Sequence, residues 1–202
     1  MLTHTSLWVS LFLFCVATLF TPGPNNLMLM RVGLVGGFRK SWESILGVAF
    51  GFALFILSVG LGLGHMIQEQ PQLAEVLRLG GIAYTLYLAW SIACTSAVPT
   101  QQLSQRRTTR FWPILVFQWV NPKGWMMALT TTSTYSPLMS HPVSLLCVAL
   151  IFGATGLFSS LLWVGIGFSA QKAAAFPVAF RLFNWSMACF LCSSLLPLLK
   201  PV

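Results

Sequence analysis

The chain has 202 residues, 56% of them hydrophobic and only 7% charged, with a mean hydropathy of +0.81. Soluble domains carry roughly a quarter charged residues, so this composition excludes a soluble globular protein and points to an integral membrane protein formed as one bundle. The net charge of +8 is spread between apolar runs and forms no patch, which excludes a nucleic-acid partner and reports membrane orientation instead.

A spanning helix needs about 20 apolar residues. Six segments meet that rule: Leu7–Met30, Glu43–Gly64, Gln72–Ser96, Phe111–Tyr135, Val143–Ser169 and Val178–Leu199. The expected fold class is therefore all-α, integral to the membrane. Residues 1–6 carry no Lys or Arg, and the apolar run beyond them outlasts a signal peptide, so the first segment reads as a retained span. Thr21-Pro22-Gly23-Pro24-Asn25-Asn26 interrupts it. Pro22 and Pro24 lack backbone donors and clash with the preceding turn, so the helix breaks there. Inside a membrane the freed backbone groups need protein, water or ligand as partners, and such breaks persist where they line a cavity.

The second segment carries Gly47 and Gly51, then Gly60 and Gly64, spacings that let neighbouring backbones approach closely. Glu43, one of three acids in the chain, opens it. Its charge suits a helix N-terminus, with proton coupling as the alternative role. The fourth segment is broken at Asn121-Pro122-Lys123-Gly124, in the manner of the first. The fifth holds Ala149, Gly153, Gly165 and Gly167, again a close-packing pattern. The sixth contains Cys189 and Cys192 at a redox-like spacing. No basic residue nearby lowers a thiol pKa, so these two read, with Cys15, Cys94 and Cys147, as small buried hydrophobes. His4, His65 and His141 show no ligand spacing, so no metal is expected, and nothing calls for a cofactor. Trp42, Trp112 and Tyr135 suit interfacial anchoring.

Eight basic residues (Arg31, Arg39, Lys40, Arg106, Arg107, Arg110, Lys172 and Arg181) fall on one side of this arrangement, and only Arg78 and Lys200 on the other. The positive-inside rule then places both termini outside the cytoplasm. The halves are alike: a first segment broken by proline, a second rich in small residues and a third of ordinary apolar character. Repeat A covers about 1–98 and repeat B about 111–202, joined by a cytoplasmic linker at about 99–110, all within one transmembrane domain. With three segments per half, the second half enters from the opposite side. Such inverted repeats place substrate sites near the bilayer midplane, where the discontinuous helices meet.

Lys123 is the residue on which a function hangs. It lies near the middle of the fourth segment, about 18 Å from either end at 1.5 Å per residue, too far for its stem to snorkel. A charge there costs about 2.5–3.5 kcal/mol, which the break can relieve by admitting water, or the lysine is buried neutral. Alternatively, the lysine is a fixed positive charge for a substrate carboxylate. Asn25, Asn26 and Asn121 can cap the freed half-helices or bind substrate, and the half-helix N-termini favour an anion. Gln118 and the hydroxyl run Thr130 to Thr134 can line a polar path. The helix-breaking residues Pro22, Gly23, Pro24, Pro122 and Gly124 shape this site.

Phe20-Thr21-Pro22-Gly23-Pro24-Asn25-Asn26, Gly37-Phe38-Arg39 followed by Gly47 and Gly51, Gly81-Ile82-Ala83-Tyr84, and Gln118-Trp119-Val120-Asn121-Pro122-Lys123 form an ordered set covering nearly the whole chain. In that set the chain resembles the lysine exporter / homoserine-threonine resistance (LysE/RhtB) family, and the wording around Gly37-Phe38-Arg39 and Phe117 to Asn121 is most similar to its cysteine/O-acetylserine branch. The resemblance implies a small carrier of the bacterial inner membrane, not an enzyme. It would export amino acids or close derivatives in exchange for protons; with the positive-inside reading above, both termini would then be periplasmic. The alternatives are a thiol-disulfide electron carrier, which needs cysteines at the breaks where none occurs, and a non-transporting subunit, which leaves Lys123 without a purpose.

Overall fold

Every regular element among the described residues is helical. The structure, a computed structural model, describes residues 4–94, 111–173, 177–193 and 195. The helices are α1 (His4–Phe20), α2 (Pro24–Ser58), α3 (Gly64–Gln68), α4 (Pro71–Ala93), α5 (Phe111–Phe117), α6 (Pro122–Thr134), α7 (Ser136–Met139), α8 (Pro142–Ala173) and α9 (Pro177–Ser193). A π-helical turn, Val59–Leu63, continues α2 into α3. The expected linker at 99–110, with Arg106, Arg107 and Arg110, lies outside the described residues, as does Lys200.

The surface is that of a chain solvated by lipid. Phe12, Leu54, Leu61, Trp90, Trp112, Leu150 and Phe158 are all exposed, while Asn25, Asn26, Ser41, Ser44, Gln118, Asn121, Thr155 and Ser159 are buried. That inversion is what a bilayer demands, because polar groups there must find partners inside the protein. By length and apolar character, Pro24–Met66 and Pro142–Ala170 are long enough to cross a membrane.

Residues 31–42 were expected to contain a loop before a second segment beginning at Glu43. Helix runs through them instead, interrupted only at Gly37. Gly37 has φ 65° and ψ −176°, a conformation that only glycine adopts cheaply. The contacts on either side show that the chain reverses there. Before it, Leu19 meets Ser159, Gly33 meets Val164 and Gly37 meets Phe168, so this arm runs parallel to α8. After it, Phe38 lies by Phe168, Phe52 by Gly156 and Gly60 by Leu145, so the second arm runs antiparallel to α8. Both arms of α2 thus use α8 as a common spine. Glu43 is exposed and sits beyond the first turn of the second arm, too far along to act as a helix-terminal charge.

Other pairings complete the frame. The second arm of α2 runs beside α5, with Gly47 against Phe111 and Ile114 and Gly51 against Leu115 and Gln118. Helix α1 is antiparallel to α6, joining Ser10 to Tyr135 at one end and Thr21 to Lys123 at the other. Gly81 of α4 faces Pro122, and Tyr84 lies 5.0 Å from Phe117 between ring centroids.

Two expectations about side chains need correction. Tyr135 is 4% exposed and bonded to Ser10 Oγ at 3.0 Å, so it belongs to the core and anchors nothing at an interface. Of the cysteines only Cys15 is buried; Cys94, Cys147, Cys189 and Cys192 are exposed on the outer faces of their helices. A hydrophobic run does not tell a core face from a lipid face, which explains that miss.

The tightest seam is the crossing of α2 and α8. A Cβ on Gly167 would collide with the Met30 carbonyl oxygen, and one on Gly33 with that of Val164. Both obstacles are backbone and cannot move aside. Gly167→Ala should therefore lower stability by about 3 kcal/mol, the upper end for overpacking. Gly80→Ala, where a Cβ meets nothing within 4 Å, should leave stability unchanged or raise it by up to about 1 kcal/mol. Thermal unfolding of the two variants in detergent, beside the wild type, checks the pair.

Candidate functional site

The site is built where two helices fail. Helix α1 stops at Phe20 and α2 starts at Pro24, while α5 stops at Phe117 and α6 starts at Pro122. Each restart places proline at the first helical position, where its missing N–H costs nothing. The stops are costlier, since the last carbonyls of a helix have no intrahelical donor.

The structure supplies those donors from side chains. At the end of α1, the Leu19 carbonyl accepts from Asn26 Nδ2 at 2.8 Å and from Ser159 Oγ at 2.7 Å. The Thr21 carbonyl accepts from Asn26 Nδ2 at 2.7 Å and from Lys123 Nζ at 2.7 Å. Lys123 Nζ also donates to Thr21 Oγ1 at 2.8 Å and to the Pro22 carbonyl at 3.3 Å. At the second break Asn121 Oδ1 accepts from the Lys123 backbone N–H at 3.2 Å, capping α6, and Trp125 Nε1 donates to the Trp119 carbonyl at 2.8 Å.

Electrostatics explains the bend of the lysine. Lys123 occupies the second position of α6, at the positive end of that helix and close to the start of α2. A cation is unfavourable there and favourable at a C-terminus. Its ammonium accordingly reaches across to the end of α1. Gly23 gives it passage: a Cβ there would lie 2.9 Å from Lys123 Cδ.

Asn25 and Gln118 hold the two breaks together. Asn25 Nδ2 donates to Gln118 Oε1 at 2.7 Å, Gln118 Nε2 returns a bond to Asn25 Oδ1 at 3.3 Å, and it also reaches the Ile114 carbonyl at 2.9 Å. Gln118 is fully buried, so it faces Asn25 and not an open path. Phe55 of α2 sits edge-on to Trp119 at 5.6 Å and to Trp125 at 4.9 Å, and it also lies close to Gly124.

A cavity of about 390 Å³ opens beside Lys123, between α1, α6 and the end of α9. Its lining includes Phe14, Thr18, Thr21, Lys123, Met127 and Thr130. That volume falls within the usual range of small-molecule sites, about 300–1,000 Å³. Beyond Thr130 the hydroxyl run turns inward on its own helix: Thr131 donates to the Met127 carbonyl at 2.7 Å and Thr132 to that of Leu129 at 2.9 Å.

Lys123, Asn25, Asn26, Asn121, Gln118 and the breaking residues therefore converge, and Glu43 does not join them. Sequence reading passed over Thr21 and Ser159 as individual residues. Thr21 had a local signal, being the last hydroxyl before Pro22, whereas Ser159 had none, because only the packing of α8 brings it to Leu19. No group of three or more potential metal ligands occurs among the described residues.

A family model described as LysE type translocator matches residues 16–194. The chain belongs to the LysE family. It is a membrane transporter and not an enzyme, so the electron-carrier and subunit alternatives are set aside. Among similar LysE-family proteins is a cysteine/O-acetylserine efflux protein of Klebsiella pneumoniae, 31% identical over 185 residues, covering 91% of this chain and 92% of the relative. Proteins of the same description from Salmonella typhimurium and Escherichia coli O9:H4 are 27% and 28% identical, each over 79% of this chain and covering 82% and 81% of the relative. No solved structure matches this LysE-family chain.

The reciprocal amide pair gives a prediction. Asn25→Leu strands Gln118, and Gln118→Leu strands Asn25, each leaving a buried amide short of a partner at a cost of about 1–3 kcal/mol. The double substitution removes both amides, so it should be less destabilising than the sum of the singles by about 1 kcal/mol or more. Thermal unfolding of the four proteins of that cycle reads the coupling.

Proposed function

We propose that this chain exports small amino acids with uncharged side chains, of the cysteine and O-acetylserine class, across a bacterial inner membrane in exchange for protons. Amino-acid efflux is the activity of the chain, and the substrate class and coupling ion are the finer reading. The single observation that carries it is the Lys123 ammonium at the foot of the cavity. A carboxylate entering there meets a cation carried on the first turn of α6, in surroundings where ion pairing is far stronger than in water.

The rest of the lining supports an uncharged side chain. Phe14, Met126, Met127 and Phe190 are apolar. The acids of the chain, Glu43, Glu69 and Glu75, all lie elsewhere. A second cation on the substrate would find no counter-charge. The names of the relatives point the same way.

Transport proceeds by alternating access between two inverted halves within one domain, repeat A at about 1–98 and repeat B at about 111–202. The broken pairs α1–α2 and α5–α6 take corresponding places, and α1 runs antiparallel to α6, as inversion requires. With both termini periplasmic, the cavity beside Thr130 opens outward. The opposite side is closed by the Asn25–Gln118 pair and the aromatic contacts of Phe55.

Export of labelled cysteine, O-acetylserine and a panel of other amino acids from loaded cells tests this reading. The wild type should favour the small uncharged ones, and collapsing the proton gradient should abolish accumulation outside. Lys123→Met, which keeps the stem and removes the charge, should reduce export to background at equal membrane abundance. Lys123→Arg should recover only part of it, because a planar guanidinium does not replace a compact ammonium. Normal export by the Met variant would make Lys123 structural and overturn this site. Reporter fusions at Gln102 and after Val202 should place the first in the cytoplasm and the second outside.

A further inference from the structure

The geometry points to the carbonyl cage that now holds Lys123, formed by the Thr21 carbonyl, Thr21 Oγ1 and the Pro22 carbonyl, as the subsite for the α-ammonium of the transported amino acid, which lysine and substrate occupy in turn. This rests on the amino-acid export reading and adds where the amino group goes.

A primary ammonium has three protons, and the cage offers three acceptors, at 2.7, 2.8 and 3.3 Å from Nζ. Lys123 is thus an internal specimen of the ligand chemistry that the cage accepts. The acceptors sit at the C-terminal end of α1, where carbonyls lack intrahelical donors and the helix dipole is negative; the Thr21 carbonyl takes the ammonium on one lone pair and Asn26 Nδ2 on the other. They can also be reached. Thr21 is exposed, and Thr21, Pro22 and Lys123 all line the cavity.

Two ammonium groups cannot share these acceptors, and the cavity lining contains no carboxylate to offset a second positive charge. A solute whose amino group enters the cage must therefore displace the lysine. A zwitterion makes that displacement favourable, because its carboxylate meets the released Lys123 ammonium. The bound state then reads Lys123, carboxylate, α-ammonium, cage, with every charge opposed. An amine without a carboxylate displaces the lysine and leaves it stranded. A carboxylate without an amine leaves the cage empty or the lysine in place. The site thereby selects primary α-amino acids over either half-molecule.

Counterflow in proteoliposomes with purified protein tests the selection. Cysteine should exchange, while 3-mercaptopropionate, which lacks the ammonium, and cysteamine, which lacks the carboxylate, should each be weaker by about 10- to 100-fold, the worth of hydrogen bonds to a charged group. Thr21→Val should raise the half-saturating cysteine concentration about 10-fold through one lost acceptor, with Thr21→Ser restoring it. Thermal stabilisation of Lys123→Met by ethylamine gives a readout free of transport. With the lysine gone the cage is vacant, so ethylamine should stabilise this variant and not the wild type. Equal exchange of 3-mercaptopropionate and cysteine, or an unchanged half-saturation in Thr21→Val, would overturn the cage while leaving amino-acid export standing. Should the wild type transport no amino acid, the export reading fails, and ethylamine binding by Lys123→Met still decides whether the cage takes ammonium groups.

Discussion

The structure depends on a mutual debt between one broken helix and one lysine. The carbonyls at the end of α1 lack intrahelical donors. The Lys123 ammonium beside them lacks a counter-ion. Each answers the other, at 2.7 Å from the Thr21 carbonyl. An unpaired cation at mid-membrane is costly; on the other side, Asn26 and Ser159 already serve the Leu19 and Thr21 carbonyls, and the lysine adds a second donor to Thr21 and one to Pro22. Because the lysine arrives from α6 and the carbonyls from α1, the bond also ties the two halves of the chain at one point.

That point can exist only if the helices carrying it are held in register, and the glycines do this. The reversal at Gly37 returns the chain along α8, so that both arms of α2 rest on one spine. The seam at Gly33 and Gly167 brings backbone to backbone, while Gly47 and Gly51 admit α5. Ser159 then falls opposite Leu19, and Gln118 opposite Asn25. Small residues in the membrane thus fix where the polar residues meet, which is the reverse of a soluble core, where bulk fixes the register.

Much of this was legible in the sequence, for identifiable reasons. Proline leaves an unambiguous mark on a helix, so both breaks could be placed to within a few residues, and a lone lysine in an apolar run announces itself. Two kinds of feature were hidden. The one-residue reversal at Gly37 looked like a loop because Arg31, Arg39 and Lys40 surround it, and charge near a membrane surface is compatible with helix as well as coil. The orientation of side chains was hidden too. Tyr135 and the cysteines at 94, 147, 189 and 192 were misplaced because a helix apolar all round carries no record of which face meets lipid. Gln118 was expected to line a polar path and instead pairs with Asn25 in full burial.

The charge pattern around Lys123 bears on how such a carrier moves. In the present arrangement the ammonium bridges α6 to α1, and Asn25 bridges α2 to Gln118, just beyond the end of α5. Both ties cross from the first broken pair to the second, and they lie on the two sides of the breaks. In the proposed alternating-access cycle, rocking one half against the other would lengthen one tie as it spares the other. The amide pair is neutral and buried, hence costly to open without a replacement partner. The lysine tie is half-exposed to the cavity, and a zwitterion can replace it term for term. In the proposed export cycle the outward cavity is where substrate leaves, so the return of the lysine to Thr21 can expel it, while the amide pair keeps the opposite side shut.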